Sequence, residues 1–309
     1  MTLLYTDPRF LEHRTGNHPE RPERLRQITR RLLETGLPAR CREISCAPIS
    51  PERLARVHAP DYVEEVRAFA EQGGGLIEAD TVVSEQSFNV ALLAAGAVCD
   101  AVERVTQGED ATALCLVRPP GHHALPSHAM GFCLFNNIAV AARMAVAELG
   151  LDRVLVVDWD VHHGNGTQDI FYADEQVGFL SIHRYPFYPG TGAKDETGTG
   201  RGLGTTLNLP VSYGTPRKDF LSRFANELEV FVDKLRPQLI LISAGFDAHR
   251  EDPIGSLDLE TEDLAALTRI VLDVAKTHAG GRVVSVLEGG YNVQALADSV
   301  ELHLEEMLV

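Results

Sequence analysis

A chain of 309 residues that is 44% hydrophobic can bury one large α/β core or two ordinary ones. It has no 18-residue apolar run, and Met1 to Phe10, carrying Asp7 and Arg9, lacks a basic-then-apolar signal pattern, so a cytoplasmic protein with no membrane partner is expected. The net charge of −16 argues against a nucleic-acid partner and fits either plain solubility or steering of a cationic partner.

The chain opens on a short strand at Leu3 to Thr6. Helical periodicity follows at Pro22 to Glu34, Pro60 to Ala70 and Ser84 to Val105, then a strand at Ala113 to Val117 and a helix at Asn137 to Leu149. Val154 to Val157, Val177 to Ile182 and Thr205 to Leu209 read as strands. Pro216 to Leu235 (helix), Leu239 to Ser243 (strand), Thr261 to Thr277 (helix), Val283 to Leu287 (strand) and Val293 to Met307 (helix) complete the pattern. Such alternation implies a parallel sheet with helices on both faces. No repeat or long linker divides the chain, so residues 1–309 are expected to form a single domain. Gly190 to Gly204, the longest stretch without an apolar period, reads as a functional loop. The five cysteines form no CxxC pair, and reduced, buried thiols are expected.

In parallel sheets, ligands gather at the carboxyl ends of strands. After Val154 to Val157 comes Asp158-Trp159-Asp160-Val161-His162. Side chains of an extended chain alternate, so Asp158, Asp160 and His162 point one way and Trp159 and Val161 the other. A purely structural strand end has no reason to gather two buried carboxylates, which cost several kcal/mol each when unpaired. After Leu239 to Ser243 a third carboxylate, Asp247, follows. Asp160, His162 and Asp247 together make a three-ligand site with an open position, the layout of a catalytic zinc; the oxygen-rich set also admits manganese, iron or cobalt. Arg118-Pro119-Pro120-Gly121-His122-His123 places adjacent histidines after a rigid turn. They read as a proton-transfer pair lining a site or, taken alone, as two loop histidines in water. Glu288-Gly289-Gly290-Tyr291-Asn292 permits a sharp turn that aims a phenol into a cleft, or buries it beside the turn.

With these segments in place, the chain resembles the zinc-dependent histone deacetylases of the arginase/deacetylase superfamily, close to the class II-like bacterial amidohydrolases. The matching segments are His18 to Arg24, Arg118 to His123, Gly131 to Asn137, Val157 to Gly166, Tyr188 to Gly192, Ser243 to Asp247 and Glu288 to Asn292. The resemblance implies a three-layer α/β domain around an eight-stranded, mainly parallel sheet, and hydrolysis of acyl groups from the ε-amine of lysine in a protein or peptide. It gives Asp160, His162 and Asp247 to zinc and makes His122 and His123 the general acid/base pair. Asp158 would bond His122, Asn165 would stand behind His123, and Tyr291 would hydrogen-bond the acyl carbonyl. Gly131, Phe132 and Tyr188 would form an alkyl tunnel with Asp80 on its rim, and Arg24 would line a channel for the leaving acid. One K+ is implied near Asp158, Asp160, His162, Ser181 and Ile182, and a second around Phe171 and Val177.

The nearest alternative is an acetylpolyamine amidohydrolase, which shares these motifs and suits an acidic chain. An arginase-like binuclear manganese enzyme would need paired aspartates that Ser243 to His249 lacks. A non-catalytic acyl-lysine binder would be expected to have lost a ligand, a tandem histidine or the tyrosine. His58, His278 and His303 read as surface or core histidines, His183 and His249 lie near site segments without an assigned role, and His128 is expected to border the entrance.

Overall fold

In the computed structural model, which describes residues 1–309, the apolar runs become strands of one sheet. The chain enters on β1 (Thr2–Tyr5), passes through α1 (Glu23–Thr35) and adds β2 (Cys41–Ile44) beside β1. Helices α2 (Pro51–Leu54) and α3 (Pro60–Glu71) and a separate antiparallel pair, β3 (Gly75–Glu78) and β4 (Thr81–Val83), precede the long α4 (Ser87–Gln107). Then β5 (Thr112–Cys115), α5 (Asn137–Ala147), β6 (Val154–Asp158), α6 (Asn165–Phe171), β7 (Val177–Arg184) and β8 (Thr206–Val211) follow. The chain closes through α7 (Arg217–Leu235), β9 (Leu239–Ala244), α8 (Thr261–His278), β10 (Val283–Leu287) and α9 (Val293–Met307).

The main sheet has eight strands in the order β2-β1-β5-β10-β9-β6-β7-β8, all paired in parallel. A parallel sheet must be covered on both faces. Two sets of mutually packed helices do this: α3 to α6 form one, and α1, α7, α8 and α9 the other. The core is continuous, with 87 buried apolar side chains in one cluster. All five cysteines are free thiols, and four of them are buried. No helix is long and apolar enough to cross a membrane.

Register places the functional ends level. Asp158, the last residue of β6, pairs with Ser181 of β7 on one side and Ser243 of β9 on the other, while Ala244 pairs with Leu287 of β10. The loops carrying Asp160, Asp247 and Tyr291 therefore leave the sheet side by side. Strand β2 and the β3–β4 pair were not expected from the sequence. Both are short, and the mostly exposed Cys-Arg-Glu-Ile and Gly-Leu-Ile-Glu segments have no apolar alternation to reveal them. Gly190 to Gly204 contains a single 3-10 turn, Gly200–Gly202, and is otherwise irregular, as expected of a loop.

Beneath the site lies a buried ion network. Glu20 is fully buried; both its oxygens are paired with Arg118, Arg24 lies 3.2 Å from Oε1, and His13 3.5 Å from Oε2. Arg118 also donates to the carbonyls of Phe10 and His13, which ties the N-terminal segment to the end of β5. Burial opposes ionisation of Glu20, but Arg118 outweighs it and holds the carboxyl down at about 2. Because the folded value is depressed, this stabilisation is complete above the unfolded value near 4.5 and is lost as pH falls towards 2. Removing the carboxylate leaves two buried guanidinium groups without their partner. Glu20→Ala is expected to cost about 3–5 kcal/mol, measured by urea unfolding at pH 7; an unchanged midpoint would contradict this account of the network.

Candidate active site

The turn after β6 turns strand alternation into a cluster of donors. Asp158 accepts from His122 Nδ1 at 2.9 Å, whereas Trp159 packs on the far side against Phe224 and His303. Asp160, His162 and Asp247 each offer one donor atom, and all three atoms lie within 4.8 Å of one another. His162 Nδ1 donates to Asp160 Oδ1 at 3.0 Å and lies 3.2 Å from Asp247 Oδ2. Asp247 Oδ2 is buried without a hydrogen-bond partner. Its other oxygen accepts from the Val161 N–H at 2.9 Å, and Asp160 Oδ2 accepts from the Gly289 N–H at 2.8 Å. An orphaned buried oxygen beside a second carboxylate and an imidazole fits a divalent cation, whose capture would displace the His162 proton.

Glycine is required where the backbone passes this close. A Cβ on Gly289 would come within 2.2 Å of Asp247 Oδ2, and one on Gly245 within 2.2 Å of Asp160 Oδ2. Both would force the carboxylates apart.

The tandem histidines lie against each other with ring centroids 4.0 Å apart and planes tilted by 41°. Their outer partners differ in charge: His122 bonds the carboxylate of Asp158, and His123 Nδ1 donates to Asn165 Oδ1 at 2.7 Å. Burial works against protonation of both. For His122 the carboxylates of Asp158 and Asp160 prevail and lift it to about 10. His123 is held well below its ordinary value by burial and by the neighbouring His122 and His162. Burial likewise opposes charge on His162, and the bond to Asp160 together with the nearby Asp247 carboxylate lifts it to about 10. Asp247 is pushed up to about 7 by burial and then by Asp160. Burial also keeps the Tyr291 phenol protonated, reinforced by Asp247 and Asp160.

A cavity of about 230 Å³ opens here, lined by Asp80, His123, Gly131, Phe132, His162, Phe187, Tyr188, Ile254 and Tyr291. The larger grooves along α1 collect none of these donor groups. Phe132 sits in the left-handed region at φ 71, its N–H bonded to Thr81 Oγ1 and its ring edge-on to both His18 and Tyr291. Strain of this kind persists where surrounding contacts over-determine it. Tyr188 stands edge-on to His123 and His162, and Phe187 stacks on His162. The residues expected at the tunnel, Asp80, Gly131, Phe132 and Tyr188, are thus brought together.

Arg24 lies behind this wall. Its guanidinium donates to the carbonyls of Gly290 and Glu288 and to Glu20, 5.2 Å from the Tyr291 ring centroid. Ser181, level with Asp158, bonds His183 Nδ1 at 2.9 Å, and Ile182 is buried beside it. Phe171 and Val177 are buried at the end of α6 and the start of β7. His58 and His303 are core histidines held by hydrogen bonds, and His128 is exposed and does not line the cavity. Sequence reasoning missed Phe187, Ile254 and Glu288. Glu288 is fully buried; Oε2 accepts from the Gly121 and His122 N–H groups and Oε1 from Ser243 Oγ, so it clamps the histidine turn to the sheet. Its place directly after β10 was a signal available in the sequence.

The model of the histone deacetylase domain matches residues 18–307. The histone deacetylase-like amidohydrolase of Pseudomonas aeruginosa is 42% identical over 278 residues, covering 90% of this chain and 73% of that protein. Human polyamine deacetylase HDAC10 is 42% identical over 319 residues, and the chain spans just under half of its length, 46%. The crystal structure of the HDA15 HD domain superposes with a TM-score of 0.93 at 38% identity, covering 99% of this chain and 89% of the other. Matched along nearly its whole length in sequence and in fold, the chain belongs to the histone deacetylase family.

Proposed function

We propose that residues 1–309 act as one zinc-dependent amidohydrolase domain that removes acetyl or another short acyl group from the ε-amine of lysine in a protein or peptide. The observation that carries this reading is the Asp160–His162–Asp247 donor set, which meets a 230 Å³ cavity also lined by His123 and Tyr291. Asp160, His162 and Asp247 would hold the ion. Zinc there would supply a Lewis acid that polarises the acyl carbonyl and acidifies the attacking water.

The chain's own residues would do the rest. Gly131, Phe132 and Tyr188 hold the alkyl stem of the acylated side chain, and Asp80 at the rim grips the substrate backbone. His123, backed by neutral Asn165, takes the proton of the attacking water, while His122 stays charged against Asp158. A protonated imidazole of the pair then delivers a proton to the leaving amine. The Tyr291 hydroxyl donates to the carbonyl oxygen as negative charge develops on it. Arg24 lies along the route of the released acid. K+ would sit among Asp158, Asp160, His162, Ser181 and Ile182, a buried oxygen-rich set, with a second ion around Phe171 and Val177.

A second reading, acylated polyamine as substrate, is favoured by the likeness to a polyamine deacetylase and by the net charge of −16. Kinetics on acetyl-lysine peptide and acetylspermidine, run side by side on zinc-loaded protein, separate the two. A higher kcat/KM on the peptide is expected, and the reverse order would move the assignment to polyamines. Tyr291→Phe is expected to retain zinc and lose about 10²–10³ in kcat; turnover within a factor of about two of wild type would remove the phenol from the mechanism. Asp247→Ala is expected to abolish zinc retention, read by elemental analysis after dialysis, and full occupancy would refute the ligand assignment.

A further inference from the structure

Asp252, in the loop after β9, carries none of the roles above, yet two walls of the cavity meet at its side chain. It is 8% exposed. Oδ1 accepts from the N–H groups of Ile254 at 2.9 Å and Gly255 at 3.0 Å; Oδ2 accepts from Tyr291 at 2.7 Å and Asn292 at 3.3 Å. The first pair belongs to its own loop and the second to the turn after β10. Ile254 and Tyr291 both line the cavity. One carboxylate thus receives four backbone donors, close to its full acceptor capacity, and charge-assisted bonds of this kind are stronger than neutral ones.

The turn it grips has little stiffness of its own. Gly290 precedes Tyr291 at φ 121, a conformation open to glycine and a source of backbone freedom. Beyond Asp252, the two loops are tied by the Phe246 N–H to the Gly289 carbonyl and by Asn292 Nδ2 to the Glu251 carbonyl. Asn292 in turn caps α9, with its side chain accepting from Gln294 and Ala295. Asp252 therefore anchors the backbone at Tyr291 on one side while the helix cap anchors it on the next residue.

We propose that Asp252 is a positioning residue, which fixes the Tyr291 hydroxyl and the Ile254 wall relative to the Asp160–His162–Asp247 donors. The proposal rests on the amidohydrolase reading above. An asparagine at 252 would turn an amide NH₂ toward one pair of N–H donors and so release either the Ile254 loop or the Tyr291 turn. The test is a double-mutant cycle on the zinc-loaded full chain with acetyl-lysine peptide. Asp252→Asn is expected to lower kcat about 10–100-fold with zinc content unchanged. In a Tyr291→Phe background the same substitution is expected to cost less than about threefold. An equal loss in both backgrounds would overturn the proposal, because Asp252 would then act without the phenol. A second readout does not depend on turnover. In protein labelled with 3-fluorotyrosine, the resonance that disappears in Tyr291→Phe is expected to shift or broaden in Asp252→Asn, and an unmoved line overturns the proposal. Should Asp252→Asn fail to fold, Asp252→Glu, which sets the same charge one methylene further out, carries both measurements with the same expected direction. If wild type turns over no acylated amine, the amidohydrolase reading fails by itself and the fluorine spectrum alone decides the role of Asp252.

Discussion

Asp160 and Asp247 are held together where neither has a water shell, and the counter-charge the chain provides between them is the imidazole of His162. Unpaired burial of carboxylates is among the costliest arrangements a fold can carry. Much of the surrounding structure answers to that cost. Backbone N–H groups from Val161 and Gly289 bond the carboxylates, and Gly245 and Gly289 lack the Cβ that would drive them apart. Satisfaction stops one atom short, at Asp247 Oδ2. A cluster that is nearly but not wholly satisfied is what a cation-binding site looks like from the side of the protein.

The sheet makes this possible by register. Because β6, β9 and β10 end level, three loops well separated in the chain, carrying Asp160, Asp247 and Tyr291, converge on one point. Outer contacts then hold the loops. Glu288 clamps the histidine turn, Asp252 ties the Tyr291 turn to the Ile254 loop, and the Glu20–Arg118 pair fastens the N-terminal segment beneath them. Each is a buried or nearly buried carboxylate that receives several N–H donors, so each loses several bonds at once when removed. A cavity built from loops gains rigidity in this way without regular secondary structure.

The two tandem histidines illustrate how neighbours divide one residue type into two behaviours. Their rings touch, so their charges repel. The one backed by Asp158 holds a proton and the one backed by Asn165 sheds it. Burial and the neighbouring His122 and His162 keep His123 neutral, whereas at His122 the carboxylates of Asp158 and Asp160 overcome burial, so two adjacent imidazoles have opposite protonation preferences. This division underlies the proton-transfer roles proposed for them.

Most of the fold and the centre of the site were legible from local pattern. Alternation along Asp158-Trp159-Asp160-Val161-His162 separated the donors from the core-packing Trp159, and apolar runs located every strand of the main sheet except β2, because both are consequences of backbone geometry acting within a few residues. Strand β2 and the β3–β4 pair escaped, since each strand is only three or four residues long and leaves no periodic trace; β2 is held by β1 from much earlier in the chain, and β3 by β4 across a tight turn. Asp252, Ile254 and Phe187 likewise left no local trace, and Glu288 left only its position after β10. Glutamate after a strand or aspartate before a proline is ordinary in sequence; its meaning arises when Gly121, His122 or Tyr291 arrives at bonding distance. The chain by itself determined which side chains face the carboxyl ends of the strands; tertiary structure decided which backbone groups those carboxylates hold, because hydrogen bonds between separate loops depend on sheet register.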